Sequence, residues 1–302
     1  MAEQPRDVRR AQAQFSQEMS DRGASLSLLA ARRLWRNKGA ILGLVILALL
    51  IAVAIFAPYL APYDPVRQDP LASLQAPGGE YPLGTDQLGR DMLSRLIYGA
   101  RVSLLVAVVA VAIAALIGLP LGLLAGYVGG WFDIVISRVV DLLLAFPGIL
   151  LALVIVSILG PSLFNVMIAV GIAESPNYAR LIRGSVLSAR ENVYVESARA
   201  IGAWDIRVVF RHILPNVLAP IIVLVTLGMA GAILSASALS FLGLGAQPPT
   251  PEWGAMLSSG RNYMRLAWWI TTLPGLAIMI TVLSVNMFGD GLRDALDVRM
   301  KL

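Results

Sequence analysis

Few side chains in this 302-residue sequence could take part in covalent or metal chemistry. Cysteine is absent, which excludes a thiolate nucleophile, a disulfide bond and a cysteine-ligated zinc or iron–sulfur site. His212 is the only histidine, so a multi-histidine metal site cannot form. Lys38 and Lys301 are the only lysines, and neither lies in the G-x-x-x-x-G-K-S/T pattern of a phosphate-binding P-loop. We therefore predict no catalytic residue, metal or bound cofactor, and any ATP that drives this protein must bind another chain.

Two acidic residues, Asp141 and Glu174, fall in or near apolar stretches, where a charge is often functional. Asp141 lies one helical turn from Arg138, so we expect a local ion pair between them at the membrane edge. Glu174 precedes a Ser-Pro pair, and the sequence leaves open whether it lines a cavity or stabilises a broken helix. Neither belongs to the chain of ionisable groups that a proton relay needs. For His212 we favour a hydrogen-bonded structural role over a pH switch.

The composition is that of a membrane protein. Hydrophobic residues make up 57% of the chain and charged residues 14%, and the mean hydropathy is +0.74. Soluble domains have about 45–50% apolar and about 25% charged residues. The pI near 9.8 suggests either nucleic acid or anionic lipid as a partner. The positions of the basic residues favour membrane lipid and no nucleic acid.

Six stretches are apolar and long enough to cross a bilayer as helices, which takes about 20 residues each. They are approximately Ala40–Ala57, Val102–Tyr127, Ile134–Leu159, Ser162–Arg180, Val217–Leu239 and Trp269–Gly289. Polar residues and Pro176 interrupt the fourth stretch. We expect it to be a broken helix that faces protein or a water-filled cavity rather than lipid.

The distribution of Lys and Arg predicts the orientation of these spans. Eight precede the first span, six lie between the fourth and fifth and three follow the sixth, whereas the loops of the other side hold six. Both termini and the loop between spans four and five are therefore predicted to be cytoplasmic. The first apolar stretch is too long for a signal-peptide core of about 7–15 residues, so we expect it to remain as an anchor.

The segment before the first span divides into two parts. Residues 1–24 are polar, and we expect them to be mobile. Residues 25–38 place leucines and Trp35 beside three arginines, which is typical of a short helix on the inner leaflet. A basic stop anchored by an interfacial tryptophan explains this segment as well as a recruitment role does.

Gly118, Gly122 and Gly126 form two overlapping G-x-x-x-G steps on one face of the second span. Small residues at this spacing let helix backbones approach closely within a membrane. The pattern predicts packing against another helix, either within the chain or across a subunit boundary.

The polar segment from Arg183 to Pro215 has the pattern of two helices joined by an elbow. Residues 185–201 contain no glycine or proline, and Gly202 then provides a natural helix stop. Asp205 can cap a second helix, which Pro215 is expected to end.

An apolar stripe runs along the second of these helices, with Arg207 and Arg211 beside it. Its members are Ile206, Val209, Phe210 and Ile213. Such a stripe needs a partner. The spacing alone does not decide between this protein's own helices and another chain.

Parts of this segment resemble a known signature. The runs YVESARAIGA at 194–203 and RHILPN at 211–216 are similar to the EAA motif of binding-protein-dependent ABC permeases. Four other runs resemble the dipeptide/oligopeptide/nickel branch of that family, in particular its C-type (DppC/OppC-like) subunit. They are LGTDQLGRD at 83–91, ALSFLGLG at 238–245, PEWG at 251–254 and NMFGDGLRD at 286–294. Where the family usually has alanine, this chain has Ser197, which is also small and should preserve the elbow.

The resemblance implies an all-α polytopic membrane protein with six transmembrane helices, a MetI-like permease core and a cytoplasmic coupling-helix loop. This loop would dock on an ATPase subunit and transmit its closure to the membrane helices. The implied contact residues are Glu196, Ser197, Ala198, Arg199, Ala200, Gly202, Asp205, Ile206, Val209, Phe210, Arg211 and His212. Gly202 would permit the elbow, Glu196 and Arg199 would offer polar contacts, and the apolar stripe would fill the ATPase groove or brace the unit.

The predicted organisation has five parts. They are a cytoplasmic tail with an interfacial helix (1–38), a first transmembrane helix (39–60), an extracytoplasmic loop (61–100), a permease core (101–290) with the coupling region (183–215), and a cytoplasmic tail (291–302). The composition around Asp86, Arg90 and Asp91 predicts that this part of the outer loop is solvated. The resemblance implies that it lies near the binding protein.

By resemblance, the chain would be the permease subunit of an ATP-driven importer in the cell membrane. It would carry short peptides delivered by an extracytoplasmic binding protein, together with a homologous second permease and two ATP-binding cassette ATPases. Nickel or another small solute is an alternative cargo. An ion-coupled secondary transporter would need inverted repeats and paired mid-membrane acidic groups. A membrane-embedded enzyme would need a nucleophile–base or metal constellation. We find neither pattern in the sequence.

Overall fold

The computed structural model describes residues 31–296, and most of these residues are helical. In chain order the helices are α1 (Lys38–Ile55), α2 (Ala57–Leu60), α3 (Met92–Leu123), α4 (Gly130–Leu144), α5 (Gly148–Leu159), α6 (Leu163–Arg190), α7 (Val193–Ala200), α8 (Asp205–Val208), α9 (Leu214–Phe241), α10 (Trp253–Gly260) and α11 (Trp269–Leu296). A π turn at Leu124–Val128 continues α3, and a second at Val209–Ile213 joins α8 to α9. The predicted mobile tail (1–24) and residues 25–30 of the predicted interfacial helix lie outside the described residues, and residues 31–34 of that helix are helical.

Four helical stretches are long and apolar enough to cross a membrane. They are Lys38–Ile55, Met92–Val128, Asp205–Phe241 and Trp269–Leu296. Helices α4 and α5 together qualify as a fifth span, but they meet at an angle of 91°. The predicted span from Ile134 to Leu159 is therefore present as two helices with a sharp bend between them rather than as one continuous helix. The break falls at Pro147, which has no N–H for a helical hydrogen bond and disfavours the helical conformation of the residue before it.

Helix α6 corresponds to the fourth predicted span but is not broken. It runs for 28 residues through Pro176 and is too polar to count as a span by composition. Proline at this position leaves the carbonyl of Ile172 without its usual helical donor. The hydroxyl of Ser175 donates a 2.8 Å hydrogen bond to that carbonyl instead. The predicted break is therefore wrong, because a neighbouring side chain satisfies the backbone group that proline leaves free.

The glycine-rich face of α3 packs against α6. Gly118 faces Tyr178, Gly122 faces Ile182 and Gly126 faces Val186, and a Cβ atom on any of these glycines would lie under 3.0 Å from the facing side chain. The residue numbers rise together with a constant difference, so the two helices are parallel. The chain between them must return to the end where α3 began, and α4 with α5 makes that return. The structure thus packs this face within the chain.

Helix α1 packs against α11 in the opposite sense. A Cβ atom on Gly43 would lie 2.6 Å from the carbonyl oxygen of Ser284, and Gly291, further along α11, faces Ala40 near the start of α1. The two helices are therefore antiparallel. Leu227 of α9 fills the space beside Gly289 of α11, so α9 lies next to both α11 and, through Tyr178, α6.

The part of the loop around Asp86, Arg90 and Asp91 is buried, so the prediction that this part is solvated is wrong. Asp86, Arg90, Asp91 and Arg95 are each no more than 4% exposed. Asp86 Oδ2 lies 2.6 Å from Arg90 Nε and 3.6 Å from Arg95 Nε, so the opposite charges compensate one another. Asp91 caps α3 by accepting a hydrogen bond from the backbone N–H of its third following residue. Asp86 pairs with both arginines, and Asp91 accepts the capping hydrogen bond. These charged side chains can therefore be buried within the protein.

Candidate functional site

The segment between α6 and α9 forms a compact helix–turn–helix unit at residues 191–213. Helix α7 ends in a Schellman motif: the N–H of Gly202 donates to the carbonyl of Arg199 at 2.9 Å, and that of Ala203 donates to the carbonyl of Ala198 at 3.0 Å. Gly202 has φ +81°, in the left-handed region that glycine adopts without steric cost. The sequence therefore dictates a sharp elbow at this position.

The second helix of the unit begins differently from its predicted form. Trp204, in an extended conformation, is the N-cap, and Asp205 is the first helical residue, so the prediction that Asp205 caps the helix is wrong. The carboxylate at this position still suits the positive end of the helix dipole. Pro215 does not end the unit either. It is the second residue of α9, and the helix continues because the π turn at Val209–Ile213 already replaces the regular hydrogen-bond ladder there.

Four of the large apolar side chains that this unit exposes lie at and after the elbow, and we refer to them as the elbow patch. They are Ile201 (86% exposed), Trp204 (83%), Ile206 (74%) and Phe210 (62%). An open groove of about 770 Å³ lies beside them, lined also by Arg207, Arg211 and Pro215. Exposed apolar surface of this kind, rimmed by polar groups, typically marks a protein-binding site.

The opposite side of the unit packs on this protein's own helices. Val195, Ala198, Val208 and Ile213 are at most 4% exposed. The predicted stripe therefore divides, because Ile206 and Phe210 face outward, Val209 is half-buried and Ile213 is buried. One set of apolar residues fixes the unit to the long helices, and the other set remains exposed.

Tyr127, which sequence reasoning missed, connects the unit to the C-terminal end of α3. Its hydroxyl donates a hydrogen bond to Asp205 Oδ1, and the guanidinium of Arg199 lies 5.1 Å from its ring centroid. Arg190 at the end of α6 donates a 3.1 Å hydrogen bond to the carbonyl of Tyr127. A movement of α7 or α8 therefore acts directly on α3 and α6. Nothing in the sequence around Tyr127 indicated this role, because its hydrogen-bond partners Arg190 and Asp205 are 63 and 78 residues away.

The remaining predicted contact residues occupy three positions relative to this surface. Glu196, Ser197, Ala200 and Arg211 are exposed. Ala198 lies on the buried face of α7, and His212 is half-buried. Among the described residues the imidazole of His212 makes no hydrogen bond, so the expectation of a hydrogen-bonded histidine finds no support in these contacts. The structure brings these residues together within the helix–turn–helix unit.

Asp141 and Glu174, the two acidic residues in or near apolar stretches, each have a polar partner on α6. Asp141 pairs with Arg180 of α6 rather than with Arg138, so the predicted local ion pair is wrong. The long-range partner prevails because α4 and α6 pack side by side, which sequence spacing cannot reveal. Asp133 likewise pairs with Arg183 of α6. Glu174 Oε2 accepts a 3.0 Å hydrogen bond from the side chain of Asn177.

A buried carboxylate lies on the outer side of the molecule, in the PEWG run. Glu252 is 2% exposed and caps α10 by accepting hydrogen bonds from the N–H groups of Gly254 (2.9 Å) and Ala255 (2.8 Å). Burial raises the pKa of Glu252, while these donors and the nearby hydroxyls of Ser240 and Ser103 act in the opposite direction. The PEWG run at 251–254 thus contains a buried helix cap, Glu252.

Together, the apolar helices and the exposed elbow patch define a polytopic membrane protein with an apolar surface outside its long helices. Comparison with known proteins identifies the class further. Residues 118–302 match the family described as binding-protein-dependent transport system inner membrane component, and residues 25–77 match the N-terminal TM domain of oligopeptide transport permease C. The chain belongs to the family of binding-protein-dependent transport system inner membrane components.

Relatives and a solved structure agree with this assignment. The dipeptide transport system permease protein DppC of Alkalihalophilus pseudofirmus is 52% identical over 272 residues, covering 90% of each chain. DppC of Escherichia coli is also 52% identical over 272 residues, covering 88% of this chain and 91% of the relative. Inward-facing structures of the MetNI methionine ABC transporter include a chain that matches with a TM-score of 0.57 at 19% identity, covering 68% of this chain and 97% of that chain. The predicted all-α, MetI-like fold is confirmed.

Proposed function

We propose that this chain is the permease subunit of an ATP-driven importer that carries short peptides across the inner membrane. Its membership of the permease family and the names of its relatives, which are dipeptide transport permeases, support this proposal. The observation that carries it is the elbow patch, since four large apolar side chains stand exposed on a rigid unit joined to the membrane helices.

The elbow patch is the proposed docking site for an ATPase subunit. Its apolar side chains would fill a groove on that subunit, and Tyr127 would carry the movement to α3 and α6. The chain itself would bind no ATP or other cofactor and would not be an enzyme, because its two lysines lie outside any P-loop pattern. A complete transporter would contain two ATPases, a homologous second permease and an extracytoplasmic binding protein.

We also propose that the chain crosses the membrane six times with both termini in the cytoplasm. Helix α6 lies parallel to α3 and beside it, so a membrane that contains α3 also contains α6 despite its polar composition. The excess of Lys and Arg at the termini and in the loop before α9 favours this orientation.

The experiment that tests the function is purification through a tag on this chain in mild detergent, followed by native mass spectrometry. We expect a second membrane subunit and two ATPase copies to accompany it. Trp204→Glu should reduce ATPase recovery strongly, because a charge on a central interface residue costs about 2 kcal/mol or more. Gly202→Pro should do the same, because proline cannot adopt φ +81°.

A matched control is Leu266→Glu, which places the same charge on a 71% exposed residue of the opposite side. This variant should retain the ATPases. If the wild-type chain is recovered alone or as a homodimer and transports without ATP, the proposal fails and an ion-coupled transporter becomes the better account.

A further inference from the structure

One face of α6 is left uncovered in its second half. Glu174, Asn177, Leu181, Gly184 and Ser188 follow one another at intervals of three or four residues, which places them on a single helix face. Glu174 is half-buried and the other four are exposed. We call this face the α6 stripe. It begins at the bend between α4 and α5, because a Cβ atom on Gly148 would lie 3.7 Å from Glu174 Oε1.

The depth of Glu174 excludes lipid headgroups as its neighbours. The parallel pairing of α3 and α6 places Glu174 level with Ala114 of α3. From there to Val128 is about 21 Å along the helix axis, at about 1.5 Å per residue. Trp131 and Phe132, which suit the membrane interface, follow directly. A glutamate side chain cannot span that distance, and a carboxylate facing hydrocarbon is strongly disfavoured, so the stripe must face water or protein.

The charges around the stripe are also exposed. The side chains of Asp141 and Arg180, which pair with each other, are 56% and 57% exposed. A cleft of about 250 Å³ between α4 and α6 is lined by both, and by Ser137 and Arg183. A membrane helix that presented such a pair to lipid would be disfavoured, so this region also faces water or protein.

Glu174 differs from the other charges of this region because no cation balances it. Asp133 and Asp141 each pair with an arginine, whereas Glu174 has no basic group within 4.0 Å among the described residues. Asn177 donates to Oε2 only, and Oε1 accepts no hydrogen bond from the described part of the chain. A carboxylate with a free oxygen, deep in the membrane and beside an open face, has the chemistry to bind an ammonium group.

We propose that the α6 stripe lines the solute path from the level of Glu174 to its inner end and that Glu174 binds a cationic group there, namely the amino terminus of a passing peptide. The identity of the solute rests on the proposed function, but the aqueous and cation-attracting character of the stripe does not.

The absence of native cysteine makes a direct test available. Single-cysteine variants Asn177→Cys and Leu181→Cys would be purified as the full transporter in lipid nanodiscs and treated with methanethiosulfonates. One reagent carries a trimethylammonium group and the other a sulfonate, and the mass of this chain reports the reaction. We expect both cysteines to react. Leu181→Cys leaves the Glu174–Asn177 hydrogen bond intact, and its ratio of cationic to anionic reaction rate should exceed the ratio for a free thiol in solution by about tenfold. Adding Glu174→Gln should remove that preference, and Glu174→Asp should retain it.

The control for depth is Leu116→Cys, since Leu116 is 74% exposed on an apolar face of α3 at about the level of Asn177. It should react with neither reagent. If the stripe cysteines are unreactive with and without ATP and loaded binding protein, or if the charge preference is absent or survives Glu174→Gln, the inference is overturned. ATP-dependent dipeptide uptake by the wild-type complex is measured separately, and its absence would count against the proposed function rather than against the stripe.

Discussion

At the scale of single residues, Tyr127 shows how one side chain can join a partner-binding unit to the membrane helices. It contacts Asp205 through its hydroxyl, Arg199 through its ring and Arg190 through its carbonyl. These three residues belong to α8, α7 and α6. The hydroxyl is the only one of the three contacts that a phenylalanine would remove.

We predict that Tyr127→Phe lowers the free energy of unfolding by about 1 kcal/mol, the usual net value of one hydrogen bond. The ring remains under Arg199, so the fold should persist. Thermal unfolding in detergent measures the change. Tyr59→Phe is the control, because Tyr59 is 86% exposed and its hydroxyl makes no hydrogen bond within the described residues. Equal effects of the two substitutions would contradict the role assigned to the Tyr127 hydroxyl.

Glu252 makes a second prediction at this scale, which concerns pH. Burial raises its pKa above the ordinary 4.5, so the folded protein holds this proton more tightly than the unfolded chain does. Stability should therefore fall as the pH rises from 4.5 toward the raised pKa of the folded state. Glu252→Gln keeps an oxygen to cap α10 but cannot ionise.

Unfolding midpoints measured between about pH 4 and pH 7 should consequently depend less on pH in Glu252→Gln than in the wild type. Glu191→Gln, at an exposed position, should leave the wild-type profile unchanged. A Glu252→Gln profile parallel to that of the wild type would show that this carboxyl does not titrate in the window.

At the scale of helices, the sequence predicted those elements whose structure depends on a continuous run of neighbouring residues. The four long apolar helices were predicted because each is a continuous apolar run of membrane-spanning length. The start of α3 was placed ten residues too late, since its first turns are polar and are buried by the outer loop.

Predictions were wrong where the structure depends on a side-chain contact that sequence spacing does not reveal. Both Pro147 and Pro176 lie in apolar stretches, yet only Pro147 breaks a helix, because Ser175 satisfies the carbonyl freed by Pro176. Asp141 pairs across helices with Arg180 rather than along its own helix. In the candidate site, the glycine elbow was readable from residue type, whereas the division of the stripe into buried and exposed members depended on packing.

The close contact of α3 with α6 makes a prediction at this scale. A Cβ atom on Gly122 would lie 2.7 Å from Ile182 Cβ and 2.9 Å from the carbonyl oxygen of Ala179, so the helices would have to separate. We expect Gly122→Ala to destabilise the protein by about 1–3 kcal/mol. Gly184→Ala is the control, because a Cβ atom there meets nothing within 4 Å. Replacing a helical glycine where space is free should be neutral or stabilise by up to about 1 kcal/mol, and equal destabilisation by both variants would contradict the packing argument.

At the scale of the whole molecule, the directions of the helix pairs determine how often the chain crosses the membrane. Helix α1 is antiparallel to α11, and α3 is parallel to α6. The parallel pair requires the bent segment α4–α5 to return the chain to the side where α3 began. Helix α6 can then be a crossing without being strongly apolar, because much of its surface is covered by α3 and α5 rather than by lipid.

This arrangement predicts that Pro161 and Ile201 lie on opposite sides of the membrane. Both are exposed and flank α6, so single cysteines at these positions report whether α6 crosses. In intact cells, an impermeant thiol reagent should label Pro161→Cys, and Ala76→Cys in the outer loop, but should label Ile201→Cys only after the membrane is permeabilised. The wild-type chain is the blank, because it has no cysteine. If Pro161→Cys and Ile201→Cys are labelled from the same side, α6 does not cross. The bent segment would then be a re-entrant loop, and the elbow patch could not be assigned to the cytoplasm from the positions of Lys and Arg alone.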